Sequence, residues 1–110
     1  IYLLYWWPDY ANPDSFLSGM FVTQDPPAYN LCYYSNKVFD QLVSKFITLP
    51  TASQEAIDLA VELQNILQRE APGIAVYDME YLRATSASLG GYVDNPAYPN
   101  VVFWYDCYRK

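Results

Sequence analysis

Seven apolar or aromatic residues, Ile1 to Trp7, stand in a row with no polar residue among them and stop at Pro8. A run without alternation has no face suited to water, so as a strand it must be covered on both sides. Pro8 cannot donate to a sheet ladder and ends the run. One carboxylate follows at once: Asp9, set among Trp6, Trp7 and Tyr10. Two readings of this stretch stand side by side. It is a core strand followed by an aspartate-initiated turn, or it is the wall of a site where a charge among aromatic rings meets a cation and apolar bulk.

Such a strand needs a core to cover it. A chain of 110 residues fits one domain, which buries roughly two thirds of its unfolded surface. The 53% apolar content is too high for disorder, and no apolar run is as long as the ~18 residues of a membrane span. Twelve of the aromatic residues are tyrosines, which combine a rigid ring with a polar tip and suit a surface that binds as well as packs. The plainer reading of these rings is that they straddle the edge of a core.

Charge and missing residue types narrow the function classes. The net charge is −6, and Lys37, Lys45, Arg69 and Arg83 each stand alone, which argues against nucleic acid and against an anionic membrane surface. There is no histidine, so imidazole bases, triads and zinc sites built on imidazole are absent. Cys32 and Cys107 match no metal-ligand spacing and read as two buried thiols or, in an exported protein, one disulfide. The chain opens at Ile1 with neither a methionine nor a basic leader, which reads as a processed or excised piece.

Three helices are expected after the opening strand. The first starts at Pro13 or Asp14 and turns Phe16, Leu17 and Met20 inward. Pro26-Pro27 then enforces a loop. Ser35 or Asn36 caps a second helix over about 37–47, with Val38, Leu42 and Phe46 inward and Phe39 and Val43 widening the stripe. Thr51-Ala52-Ser53-Gln54 has capping-box spacing for a third helix, which buries Ala56, Leu59, Ala60, Leu63, Ile66 and Leu67 and ends at Pro72-Gly73. Ile74–Tyr77, Tyr81–Leu89 and Val101–Tyr105 read as strands, with a turn at Gly90-Gly91. The expected order is β, short α, loop, α, α, β, β, β.

Catalytic motifs are missing. No second carboxylate is tied to Asp9 by spacing, Ser88-Leu89-Gly90-Gly91 lacks the order of a nucleophile elbow, and Gly90-Gly91 is too short to cradle a phosphate. No EF-hand pattern occurs. The sequence therefore assigns no catalytic residue, no metal ligand and no cofactor, and points away from an enzyme.

Order and spacing over most of the chain resemble a known family. Trp6-x-x-Asp9-Tyr10-x-x-Pro13-x-x-Phe16-Leu17, Asn30 and Tyr34-x-Asn36-x-x-Phe39-Asp40-x-Leu42 are followed by Glu62-Leu63-Gln64-x-Ile66-Leu67-x-x-Glu70-x-Pro72-x-Ile74-x-Val76-Tyr77 and Gly91-Tyr92. This series is similar to the C-terminal region of the family 5 (cluster C) extracellular solute-binding proteins, the oligopeptide and dipeptide receptors of ABC importers. Two departures stand out. Trp7-Pro8 replaces a frequent Cys-Ala pair, and Gln54–Asp58 lacks the arginine common early in the long helix.

The resemblance implies an α/β fold of the type II periplasmic-binding-protein kind, with residues 1–110 as a C-terminal lobe segment: a mixed sheet flanked by helices. It implies binding of peptides between two lobes, delivery to a membrane permease, and a periplasmic or extracellular location as a lipoprotein. Asp9 would pair with the ligand's α-amino group, and Trp6, Trp7, Tyr10 and Tyr34 would line the site, with Tyr33, Tyr92 and Tyr98 as further rim residues. A buried Asp9 would need a cationic partner or several N–H donors. As one segment of a longer chain, the protein would lack parts of its own sheet and would tend to self-associate. The alternatives are an aromatic-rich protein-interaction domain and a receptor of the same fold for a sugar or metal chelate.

Overall fold

The computed structural model describes residues 3–78, 82–95 and 101–110, and the chain divides into two compact units, Ile1–Ala75 and Val76–Lys110. Each unit is built differently.

The first unit is helical. Helix α1 (Asp14–Phe21) begins where the Asn12 side chain accepts the Asp14 N–H at 3.0 Å and Pro13 has already turned helical, with φ −52°. Its buried residues are Ser15 and Leu17, whereas Phe16, expected inward, is exposed. The face turned inward is set by the chain segment that lies on it, described below. Helix α2 (Lys37–Phe46) is capped by Asn36, whose side-chain oxygen accepts from Val38 N at 2.9 Å and Phe39 N at 3.1 Å. Its buried stripe is Phe39, Val43 and Phe46. Val38 faces solvent, so the helix is rotated about its axis from the stripe expected around Val38 and Leu42.

Helix α3 (Gln54–Glu70) buries Ala56, Leu59, Ala60, Leu63 and Ile66, as its spacing demands, while Leu67, also expected inward, is only partly buried against the core. Its cap is Ser53, which accepts the Ala56 N–H at 3.2 Å, in place of the expected Thr51–Gln54 pair. Gln54 instead donates to Asp58 at 2.8 Å, and Thr51 accepts from Asn12 at 3.2 Å. The helix ends earlier than Pro72-Gly73. Ala71 takes a left-handed conformation, φ 47°, and its N–H closes on the Leu67 carbonyl at 2.8 Å. A Cβ in that conformation costs about 1–2 kcal/mol, a cost that the closing hydrogen bond opposes.

α2 packs against both α1 and α3, and nine side chains form one core between them: Leu17, Phe39, Val43, Phe46, Ala56, Leu59, Ala60, Leu63 and Ile66. Phe39 and Leu63 are 0% exposed and mark its centre. A Lys45–Glu55 ion pair at 2.7 Å joins α2 to α3 at the surface, a contact worth at most about 1 kcal/mol.

The segments expected as strands behave otherwise. Among the described residues of the opening run, 3–7, no strand forms, and Leu3, Leu4, Tyr5 and Trp7 are exposed. Residues 74–77 form none either, with Ile74 89% exposed. Residues 82–86 belong to no element, and 101–103 lead into a 3-10 helix, Trp104–Asp106, instead of a strand. Ile1, Tyr2, Tyr81 and Tyr98 lie outside the described residues. A strand has no hydrogen bonds of its own and persists only beside a partner. The one ladder described pairs β1 (Leu89–Gly90) antiparallel with β2 (Tyr108–Arg109), with Leu89 opposite Arg109 and Gly90 opposite Tyr108. The turn expected at Gly90-Gly91 lies earlier, where the Leu89 N–H donates to the Ser86 carbonyl at 2.9 Å; Gly90 belongs to β1 and the chain only bends at Gly91. Gly91 has φ 75°, and a Cβ there would collide with the Asp106 carbonyl.

At this level the chain is a small mixed helix and strand protein, compatible with the α/β class. Among the described residues no helix is long and apolar enough to cross a membrane.

Candidate ligand site around Asp9

Asp9 is held through its backbone. Its N–H donates to the Ser15 hydroxyl at 3.1 Å, and Ser15 is buried on α1. One helical turn further on, at Gly19, the Trp6 ring lies so close that a Cβ would overlap its six-membered ring. Residues 6–9 therefore lie along the Ser15–Gly19 face of α1 and run against its direction. This contact turns Ser15 inward and leaves Phe16 at the surface.

The Asp9 carboxylate itself is exposed, which corrects the expectation of a buried charge. Pro8 ends the apolar run at the edge of the unit, so the side chain keeps its hydration and needs no internal cation. Trp7 is also largely exposed, at 45%, and is no buried wall. Trp6 is half-buried, packed on Gly19 and edge-on to Tyr29 with ring centroids 5.1 Å apart and planes at 76°. Tyr10 donates its hydroxyl to Asp14 Oδ2. That hydrogen bond, then burial and the negative charges of Asp14 and Asp9, hold the Tyr10 hydroxyl above its ordinary pKa of 10.0. Asp14 Oδ1 and Trp6 Nε1 are buried without a hydrogen-bond partner.

Tyr34 is committed elsewhere. Its hydroxyl donates to Glu70 Oε2 at 2.6 Å, at the end of α3, and Asn36 Nδ2 donates to both Glu70 oxygens at 2.9 and 3.0 Å. Its ring meets Phe39 edge-on, with centroids 5.6 Å apart. Burial, and then the Glu70 hydrogen bond, push the Tyr34 hydroxyl up to about 12, against a lowering by Asn36. The same bonds, Tyr34 first and Asn36 second, pull the Glu70 carboxyl below its ordinary 4.5. Tyr34, Asn36 and Glu70 form a clasp between the loop before α2 and the end of α3. This is an architectural use of Tyr34 and differs from the lining role expected for it.

Asn30 and Asn36 organise turns, as their residue type predicts. Asn30 is 2% exposed, and its amide donates to the Val22 carbonyl at 3.0 Å and the Tyr34 carbonyl at 2.7 Å. Its oxygen accepts from Tyr34 N at 3.0 Å and Cys32 Sγ at 3.2 Å. Gln24 went unread in the sequence. Its oxygen accepts the N–H groups of Ala28, Tyr29 and Asn30 at 2.8, 2.9 and 3.1 Å, while its amide donates to the Gly19 carbonyl at 3.0 Å. Its position just before Asp25-Pro26-Pro27, a loop that cannot pair its own backbone, is the signal that could have found it.

Tyr33 is exposed, with φ 56°. Tyr92 lies in the second unit and donates to Asp94 at 2.7 Å. Cys32 and Cys107 are free thiols, with Cys32 exposed and not buried. Among the described residues no three Cys, Asp or Glu side chains gather to hold a metal ion. Around Asp9 the chemistry on offer is a hydrated carboxylate beside aromatic rings, suited to an ammonium group carrying apolar substituents. Comparison with protein-family models, curated proteins and solved structures finds no match for the chain.

Proposed function

We propose that the chain is part of the solute-binding component of a bacterial ABC importer and supplies one wall of a site for peptides. The observation that carries this reading is the backbone-anchored, solvent-facing carboxylate of Asp9, flanked by Trp6, Trp7 and Tyr10. An opposing lobe would close over it, exclude water and turn a weak surface attraction into a strong one. The finer fold reading, a type II binding-protein C-terminal lobe, draws support from the apolar segments around residues 3–7 and 74–77. They have strand composition, belong to no strand among the described residues and leave Leu3, Leu4, Ile74 and Val76 exposed, which fits a lobe assembled from separated chain segments. On this reading the further partner is a transmembrane permease, and the location is periplasmic or extracellular with a lipid anchor.

The test is Asp9→Asn in the complete gene product, titrated calorimetrically with trialanine. Removing an ammonium anchor enclosed by two lobes weakens binding by about 2–5 kcal/mol. Unchanged trialanine affinity retires Asp9 as the anchor and assigns it to structure only, whereas binding of a sugar or metal chelate in place of trialanine favours a receptor of the same fold for that ligand. The exposed Trp104 and Tyr105 of the second unit favour a second reading, a domain that docks a protein partner through aromatic rings. A complete product that binds no small ligand at all supports that alternative.

A further inference from the structure

Tyr29 is the ring of the Asp9 region that is both presented and fixed. It is 56% exposed, yet its ring is braced edge-on by Trp6, its N–H is held by Gln24 at 2.9 Å, and its carbonyl accepts the Leu31 N–H at 2.8 Å. Gln24 is tied in turn to the Gly19 carbonyl, the same residue on which Trp6 lies. Trp6 is enclosed between Gly19 and Tyr29, with its Nε1 buried, so little of its surface remains for a ligand.

Resting on the receptor reading above, we infer that Tyr29 is the ring that selects an apolar side chain on the peptide ligand, and that Trp6 is its positioning residue. Continuity of contacts places the ring near the carboxylate's segment. The Asp9 N–H is held at Ser15, and the Trp6 ring lies on Gly19, four residues further along α1 or about 6 Å of helix rise. Tyr29 meets that Trp6 ring with centroids 5.1 Å apart. The segment that carries Asp9 thus also braces Tyr29, and the side chain it would meet belongs to a residue near the peptide's N-terminus. A ring locked before binding loses little conformational freedom when the ligand arrives, which is what makes it a selective surface.

The experiment uses the complete gene product and three probes: Ala-Phe-Ala, Ala-Ala-Ala and N-acetyl-Ala-Phe-Ala. The unmodified protein should prefer Ala-Phe-Ala over Ala-Ala-Ala by about fivefold, the size of one ring–ring contact. Tyr29→Ala should abolish that preference, so that Ala-Phe-Ala and Ala-Ala-Ala bind equally, Tyr29→Leu should do the same while keeping bulk against Trp6, and Tyr29→Phe should retain it. Trp6→Ala should diminish the preference and Trp6→Phe should restore part of it. A preference that survives both Tyr29→Ala and Tyr29→Leu overturns the inference, while weak binding of the acetylated probe still upholds the ammonium anchor. Equal binding of acetylated and free peptides, or no binding of any probe, overturns the anchor and this inference together.

Discussion

The two units of the chain draw on similarly apolar sequence and treat it in opposite ways. In the first, three helices bury nine side chains in one core. In the second, Tyr105 is 100% exposed, Leu82, Val93, Trp104 and Tyr108 face solvent, and Gly90 is the one buried residue among those described. The difference lies in where the backbone hydrogen bonds come from. A helix closes its own N–H and C=O groups and arrives at the core with one face ready to bury. A strand leaves all of its groups to neighbours, and apolar segments outside a ladder do not assemble a covered face. The same contrast recurs within the first unit, where residues 3–5 lie exposed in the unit that holds the core.

The largest effect expected from this contrast comes from paired truncations. Phe39→Ala, at the centre of the helical core, should cost about 3–5 kcal/mol in urea unfolding followed by far-UV circular dichroism. Tyr105→Ala, with its side chain fully in water, should change the midpoint by less than about 0.5 kcal/mol. Comparable losses from the two would break the comparison, because the second unit would then own a core of its own.

A smaller effect tests the single ladder of the second unit. Gly91→Ala puts a Cβ where φ is 75° and the Asp106 carbonyl stands in the way. It should destabilise the pairing of β1 and β2 by about 1–2 kcal/mol. Amide exchange should show it as faster exchange of Lys110 N–H, which donates to the Ser88 carbonyl at 2.8 Å, with α2 and α3 amides unchanged. Slower exchange in the helices alone, or no change at Lys110, would place the ladder's support elsewhere.

The smallest effect is electrostatic and belongs to the clasp at the end of α3. Glu70 has a folded pKa below its ordinary 4.5, so the stability it contributes is present above that value and is lost as pH falls through the lowered one. Tyr34 runs the other way. Its folded pKa of about 12 lies above the ordinary 10.0, so its contribution is complete below pH 10 and disappears as pH climbs toward 12. Urea midpoints across pH should therefore show an alkaline decline that Tyr34→Phe flattens, and an acid decline that Glu70→Gln flattens. Alkaline limbs of equal slope in the unmodified protein and Tyr34→Phe would show that the clasp carries no stability.

Part of the site was legible residue by residue. Asp9 after Pro8 marks a charged turn, and Asn30 and Asn36 mark capped turns, because short polar side chains make local hydrogen bonds that depend on few neighbours. The partners of the rings were not legible. Nothing in the spacing says that Trp6 folds onto Gly19, that Tyr29 covers Trp6, or that Tyr34 reaches Glu70 across 36 positions of sequence. Those choices depend on which face α1 and α2 turn inward, and neighbouring apolar residues such as Val38 and Phe39 leave two faces nearly equivalent on periodicity alone.

By itself the sequence determined the three helices, their approximate ends and the buried stripe of α3, since caps, breakers and i, i+4 spacing act within a few residues of chain. Tertiary structure decided the rotation of α2, the exposure of Asp9 and the absence of strands at residues 3–7 and 74–77. Each of those turns on whether a distant segment arrives to cover a face or pair a backbone, and no local pattern of residues encodes that arrival.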